Sequence, residues 1–516
     1  MNKTKTKLLK DYYDCVVIGA GIGGLTAAAL LAKAGKSVLL VEQHDRPGGY
    51  AHGFRRKHYF FDAGVHLTSG CGLEGYHGGQ VIRKVLQAVN VFQQVEFIPV
   101  NYFSRAVFPG FSVSLPASYD AFVAKLAHYF PAERQGLSDL LSLCLQLTEE
   151  VAKADELMAS GDVLRARECL TVFFQYRRAT LAQVYDQFLC DPRLKALFAT
   201  NWPYLGLPPS RVAFTYWATM LIGYLVDGAY YCRGGFQKLA DTLTHAIELH
   251  CGDVIFRTAA HRIGVCNGQV NSIVLANGVK VNTEVVVANA DMLQTINKLV
   301  GKEHFPRRYL QRLEKMQPSL SIFTVYIATD MQLDAFDLAH ETFCYQSFDH
   351  DQSFKHLEQV EVTFISISVP SLIDNSLAPE GQHIILLSTL LPYDAGESWA
   401  QLKPKITQQM LDKADELLPG LAEHLIFVDA GSPETMHRYT LNHKGSSYGW
   451  HVTPAQTGAN RIANRSPVEG LFFAGHWSRP GGGVYGVSVS GMQVAQQVLG
   501  ITEQDKFWAY LEQKNR

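Results

Sequence analysis

Neither sign of charge dominates this chain. Its 46 Lys and Arg stand against 48 Asp and Glu, for a net of -2. A nucleic-acid partner calls for a basic face, and this balance supplies none. The nine cysteines run from Cys15 to Cys344 without a CxxC pair or a zinc-ligand spacing, so they read as reduced thiols of a cytoplasmic protein. Among 19 histidines there is no HExxH, and His52, His58 and His66 are too irregularly spaced to share a helix face; no metal is expected. No apolar run reaches the roughly 20 residues of a membrane-spanning helix. The lysines at the start lead straight into a strand, so no secretory signal is expected. Those lysines, Lys3, Lys5, Lys7 and Lys10, read as a solvated terminus or as a weak contact with anionic lipid. Repeats and low-complexity tracts are also missing.

What is present is length and grease. A chain of 516 residues implies two or three domains. Apolar residues make up 47% and charged residues 18%, which leaves enough apolar side chains to line a cavity as well as fill a core. Residues 14–18 read as a strand buried on both faces, 22–34 as a helix stopped by Gly35, and 37–42 as a second strand: a βαβ unit. Short strands are expected over 95–117 and helices over 118–200. A helix follows at 236–250, then three β segments over 253–288. In that stretch Val270–Leu275 and Lys280–Val287 read as a hairpin about Asn277-Gly278. Further strands are expected at 319–328, 360–367 and 382–391, and a helix at 403–418. A last strand lies at 470–474, with a glycine-rich turn and a helix from about 488.

The turn after the first strand, Gly19-Ala20-Gly21-Ile22-Gly23-Gly24, matches GxGxxG. Gly19 permits the tight turn, Gly21 lets backbone approach a pyrophosphate, and Gly24 lets helix and strand pack closely. The pyrophosphate is expected on the N–H groups and positive end of the helix. Glu42 ends the second strand, where an acid can bond both ribose hydroxyls and repels a 2′-phosphate. These features do not separate FAD from NAD. Two further segments bear on that choice: Pro47-Gly48-Gly49, and Phe61-Asp62-Ala63-Gly64-Val65-His66, whose glycines let backbone come near a flat ring system.

With Val41-Glu42-Gln43-His44, Gly48-Gly49 and Phe61 to His66 in place, the sequence resembles the retinol saturases and plant-type carotenoid isomerases, grouped with bacterial phytoene desaturases in one FAD-dependent superfamily. The resemblance continues at Gly234 to Leu239, through Ala288-Asn289-Ala290-Asp291, and closes at Gly470 to Gly475 and Arg479 to Val484. It is thin over 96–225 and 300–430. It implies an α/β fold: a Rossmann-like FAD-binding domain of glutathione-reductase type (11–95, 228–300 and 430–500), with an inserted α+β substrate domain (96–227 and 301–429). By position, Gly19, Gly21, Gly24 and Glu42 hold the ADP half of FAD, with Gly48, Gly49 and Arg56 near it, Ala260 facing the adenine and Asn289 in the matching strand end. Gly475 approaches the pyrophosphate or ribityl chain, and Gly482, Val484 and Val487 pass the pyrimidine end. Where the family's isomerases carry an acid after the last strand, this chain has His476.

A flavin accepts or returns hydride while the protein aims the substrate and sets the electrostatics. Desaturation, saturation and isomerisation of a long polyene or isoprenoid-like chain all fit such a site. Candidates for proton transfer are His66, His476 and Tyr485, each with a packing role as the plain alternative. The most apolar stretch, Val212–Val226, spans about 22 Å as a helix. It reads as a core helix, or as the wall of a hydrophobic tunnel or a shallow membrane contact. Trp202, Tyr204, Trp217 and Tyr231 are the candidate substrate aromatics. A second dinucleotide fingerprint is absent, so oxygen, a quinone or a separate reductase is the expected electron partner. Two rivals stand beside this reading: a flavin amine oxidase, and a non-catalytic FAD-binding escort protein. A hydrophobic small molecule, no nucleic acid, and a cytoplasmic or peripheral-membrane location complete the expectation.

Overall fold

The computed structural model describes residues 9–72, 80–159 and 163–514. Lys3, Lys5 and Lys7 lie outside them.

The strands Cys15–Ile18 and Val38–Val41 are short, β-branched or leucine-rich, and buried throughout. Such strands suit the middle of a parallel sheet covered on both faces. They form it with Asp253–Ile255, Val286–Ala288 and Leu471–Phe473, in the order 471–473, 286–288, 15–18, 38–41, 253–255, all parallel. Helix Ile22–Lys33 is buried at every residue, because helices Gln237–Leu249 and Val484–Leu499 pack on it. Its run of alanines and leucines is what a helix enclosed on all sides requires.

A seven-stranded sheet forms the second layer. Its order is 425–431, 321–329, 383–391, 364–368, 341–345, 102–108, 111–116. Every pair is antiparallel except 341–345 with 102–108. Helix Trp399–Leu417 covers one face, with Trp399 against Phe323. The other face looks toward the parallel sheet, and Tyr326 ties the two layers by donating its phenol proton to the Ala63 carbonyl at 2.9 Å. Residues 119–222 are largely helical, with Arg134–Ala159 packed on Phe214–Ile222.

Several elements differ from expectation. Residues 253–288 hold five strands, not three. The second arm of the hairpin stops at Asn282, and Val286–Ala288 leaves it to pair with Cys15–Ile18 in the parallel sheet. That sheet offers burial on both faces, which the half-exposed hairpin does not. The C-terminal helix starts at Val484 rather than near 488, so Tyr485 belongs to its first turn and not to the glycine-rich loop. The apolar stretch at 212–226 is helical over Phe214–Ile222 and then widens to a π turn, Gly223–Asp227, ended by Gly228 at φ +87°. Strands Glu341–Tyr345 and Leu425–Gly431 were not anticipated. No described helix is long and apolar enough to cross a membrane.

Candidate active site

The carboxyl ends of the parallel strands open on a cavity of about 550 Å³ that extends to Ile322 on the seven-stranded sheet. Its first wall is the glycine turn. A Cβ on Gly24 would stand 2.2 Å from the Gly19 carbonyl oxygen, so no side chain fits and the helix begins hard against the strand. Gly19 itself has φ +94°, and a Cβ there would meet the Asn289 carbonyl oxygen at 2.8 Å. The backbone N–H groups at this helix start are therefore exposed to a ligand rather than screened by side chains.

Glu42 closes the same end. Its two carboxylate oxygens accept the N–H groups of Ala20 and His44, both at 2.7 Å. Those bonds fix the carboxylate, and its remaining lone pairs are free for ribose hydroxyls. Gly19, Gly21, Glu42, Gly48, Gly49, Ala260, Asn289, Gly475, His476, Val484 and Val487 all line the cavity. A cradle too tight for any Cβ, an oriented acid and a cavity that reaches Val65, Ile322 and Tyr448 fit an FAD-sized dinucleotide.

Other expected residues sit elsewhere. Arg56 pairs with Asp429 at 3.4 Å and lies over the Phe54 ring, outside the lining; the arginine that lines the cavity is Arg46. Gly482 stands behind the wall, its carbonyl accepting the Tyr216 phenol at 3.2 Å, while Gly483 and Val484 face inward. Gly24 acts through packing and does not touch the cavity. Trp202 and Trp217 are wholly buried, Trp202 among Phe354 and Phe364 and Trp217 beside Phe198, so they are core. Tyr231 is core as well, its phenol donating to Asp62 at 2.7 Å. Tyr204 differs: it keeps some accessible surface, although burial pushes its phenol well above the usual range. Tyr216, Tyr224 and Tyr448 combine the same two properties. Of these four, Tyr448 lines the cavity. Thr215, Tyr216, Thr219 and Met220 form the partly open side of the helix, followed by Tyr224 in the π turn, while Phe214, Trp217, Ala218 and Leu221 form the buried side.

Of the proton-transfer candidates, His476 lines the cavity. Burial, and next the Arg461 charge, lower its pKa to about 3, so it is a neutral imidazole; its Nε2 lies 3.3 Å from Asn442 Oδ1. His66 follows the lining residue Val65, and both its ring nitrogens are buried with no hydrogen-bond partner among the described residues. Burial first, then His340, hold it near 3 as well. Tyr485 stands outside the lining, its phenol pushed up by burial and by Asp227.

Sequence reading missed Arg461. It is fully buried, and its guanidinium donates to the carbonyls of Ser478 at 3.0 Å, Trp450 at 3.3 Å, Tyr448 at 3.4 Å and His476. Tyr448 and His476 are cavity walls, so one side chain clamps both. A solitary arginine in a coil carries no motif that could have announced this.

The family described as flavin containing amine oxidoreductase matches residues 22–499. Prolycopene isomerase 2 of an Oncidium hybrid cultivar is 27% identical over 506 residues, covering 95% of this chain and 84% of that protein. All-trans-retinol 13,14-reductase of Danio rerio is 25% identical over 538 residues, covering 92% and 85%. The lycopene-forming phytoene desaturase of Pseudescherichia vulneris is 25% identical over 497 residues, covering 94% and 98%. Among solved structures, an oxidoreductase from Methanosarcina mazei superposes with a TM-score of 0.64 at 18% identity, covering 93% and 99%, which shows the shared fold.

Proposed function

The chain belongs to the flavin containing amine oxidoreductase family, and from that premise we propose that it oxidises, reduces or isomerises C–C and C=C bonds of a long apolar polyene or isoprenoid-like substrate. It is an FAD-dependent oxidoreductase. Relatives named as isomerase, reductase and desaturase of polyenes support the substrate class over an amine, and a family of enzymes leaves the escort reading without support. One observation carries the reading on this chain: a single cavity joins the glycine turn and Glu42 to Ile322 and Tyr448, next to the open tyrosine stripe at 216–224.

Bound FAD supplies a two-electron acceptor or donor at its ring. The protein does the rest. The turn at 19–24 would present backbone N–H groups to the pyrophosphate, and Glu42 would hold the ribose. Val65, Ile322 and Tyr448 exclude water from the ring end. His66 is our proton relay: a neutral imidazole with two unpartnered nitrogens accepts a proton at one and releases one from the other. His476, neutral and held by Asn442, positions the wall without carrying charge. Electrons pass to or from oxygen, a quinone or a separate reductase, since the chain carries one dinucleotide fingerprint. A substrate of this kind is drawn from lipid, which makes a peripheral membrane contact part of the proposal.

The first test is the visible spectrum of the purified protein before and after denaturation. A two-banded flavin spectrum, released intact, is expected, with structured bands wherever a polyene co-purifies. A colourless protein that stays apo when given FAD would overturn the reading. Rapid stoichiometric bleaching by NADPH alone would overturn the assignment of the electron partner.

A further inference from the structure

The helix-covered face of the seven-stranded sheet holds a second pocket. Strand register sets Arg105, Thr342 and Ile367 in one row across three strands, with Val107 and Ser112 in the next row. The first row runs on through Leu387 to Val325, two residues from Phe323, and so lies on the face under helix Trp399–Leu417. Side chains alternate along a strand, so Phe343, and Glu341 with its partner Ser368, turn to the other face. Those five residues, with segment 335–338 and Leu417, line a pocket of about 260 Å³. It shares no lining residue with the larger cavity.

Its walls are apolar apart from one ion pair and two hydroxyls. Arg105 Nη2 donates to Ser112 Oγ at 3.2 Å and pairs with Asp337 Oδ2 at 3.2 Å. The two charges live in different surroundings. The Arg105 side chain keeps 19% of its surface exposed and the Asp337 side chain 81%. A carboxylate that open to water gains little by pairing. A guanidinium largely out of water needs an anion or several acceptors. Arg105 Nε is buried with no partner among the described residues, and so is the Thr342 hydroxyl. The wall thus holds more polar capacity than Ser112 and Asp337 use. Asp337 also shows that a carboxylate reaches Nη2 from the solvent side.

We propose that this pocket is a ligand site separate from the FAD cavity, that it takes a small carboxylate with an apolar body, and that Asp337 is the stand-in which the ligand displaces. The ligand's carboxylate accepts from Arg105 Nη2, and its body lies among Val107, Leu338, Ile367 and Leu417. Asp337 loses little on returning to water. A carboxylate tied to an apolar body holds where Asp337 does not, because leaving would expose that body. A neutral ligand leaves the ion pair in place, and an ammonium meets Arg105 as a like charge.

The test is equilibrium dialysis of labelled octanoate against the FAD-loaded protein, beside octanol and octylamine, with the flavin absorbance followed throughout. Octanoate is expected to bind about tenfold more tightly than octanol, with the flavin spectrum unchanged. Arg105→Met should remove that preference. Asp337→Asn should tighten octanoate about threefold, because the competing carboxylate is gone, and leave octanol unchanged. Equal binding of octanoate and octanol to the wild-type protein overturns the inference, as does tightest binding of octylamine. Octanoate that perturbs the flavin, and binds the methionine variant as well as the wild type, occupies the larger cavity and overturns it too. Where the methionine variant fails to fold, the asparagine variant decides: octanoate binding that is unchanged or weaker there overturns the displacement of Asp337, and the site with it.

Discussion

The part of this molecule we propose for the nucleotide and the part we propose for the substrate are built by different means. Around the glycine turn, function resides in the backbone: N–H groups at a helix start, a carbonyl where a Cβ would stand, and a carboxylate held by two amides. Around the tyrosine stripe, the proposed substrate role depends on which side of an element a side chain occupies. Tyr216 keeps some accessible surface while Trp217, its neighbour, is core. The first half tolerates little change at a few positions. The second is expected to tolerate more, provided the facing is kept.

The contrast predicts a graded set of effects. Gly24→Val is the most severe, because its side chain must occupy the position of the Gly19 carbonyl. We expect complete loss of bound flavin, read as the ratio of visible to ultraviolet absorbance. A valine at Ser366 on the opposite sheet should leave that ratio unchanged, and loss of flavin there would erase the distinction. Trp217→Ala comes next. As a core residue it should lower unfolding stability by about 3–5 kcal/mol in denaturant titration, with substrate affinity per folded molecule unaltered. A change in affinity at constant stability would return Trp217 to the tunnel wall. His66→Ala is expected to reduce turnover by roughly 100-fold with FAD retained. Unchanged turnover would remove His66 from the chemistry.

The sequence made the nucleotide half legible because its signals are local. Glycines at 19, 21 and 24 and an acid at 42 lie within one βαβ unit, and each has a steric or electrostatic reason to be where it is. Arg56 was misplaced because a charge near a glycine pair says nothing of where a long side chain turns; Asp429, far along the chain, decides that. The aromatics at 202, 217 and 231 were misread because composition was weighed without facing. Helical period separates 215, 216, 219 and 220 from 214, 217, 218 and 221, while Tyr224 lies past the helix end in the π turn, where that period no longer holds. Glu341 and Arg461 were beyond reach. Strand register sets one against Ser368, and carbonyls from two segments, 448–450 and 476–478, converge on the other.

The smallest effect we predict separates the halves by the sign of a pH slope. His476, at the nucleotide end, has a folded pKa near 3 against about 6.5 unfolded, so the unfolded chain binds its proton first on acidification. Its contribution to stability is present above pH 6.5 and is lost as pH falls. Glu341, on the second sheet, has a folded pKa near 7 against about 4.3 unfolded, so the native chain holds the extra proton between those values. Its contribution is present below the unfolded value and is lost as pH rises toward 7. Replacing each by glutamine removes one proton from the balance. Relative to wild type, His476→Gln should gain about 1 kcal/mol between pH 6.5 and 5.5. Over the same interval Glu341→Gln should lose about 1 kcal/mol. Denaturant unfolding of both variants at the two pH values reads the slopes directly. Slopes of the same sign would mean that the two buried sites share one electrostatic environment, and the division between backbone-built and side-chain-built halves would not extend to their protons.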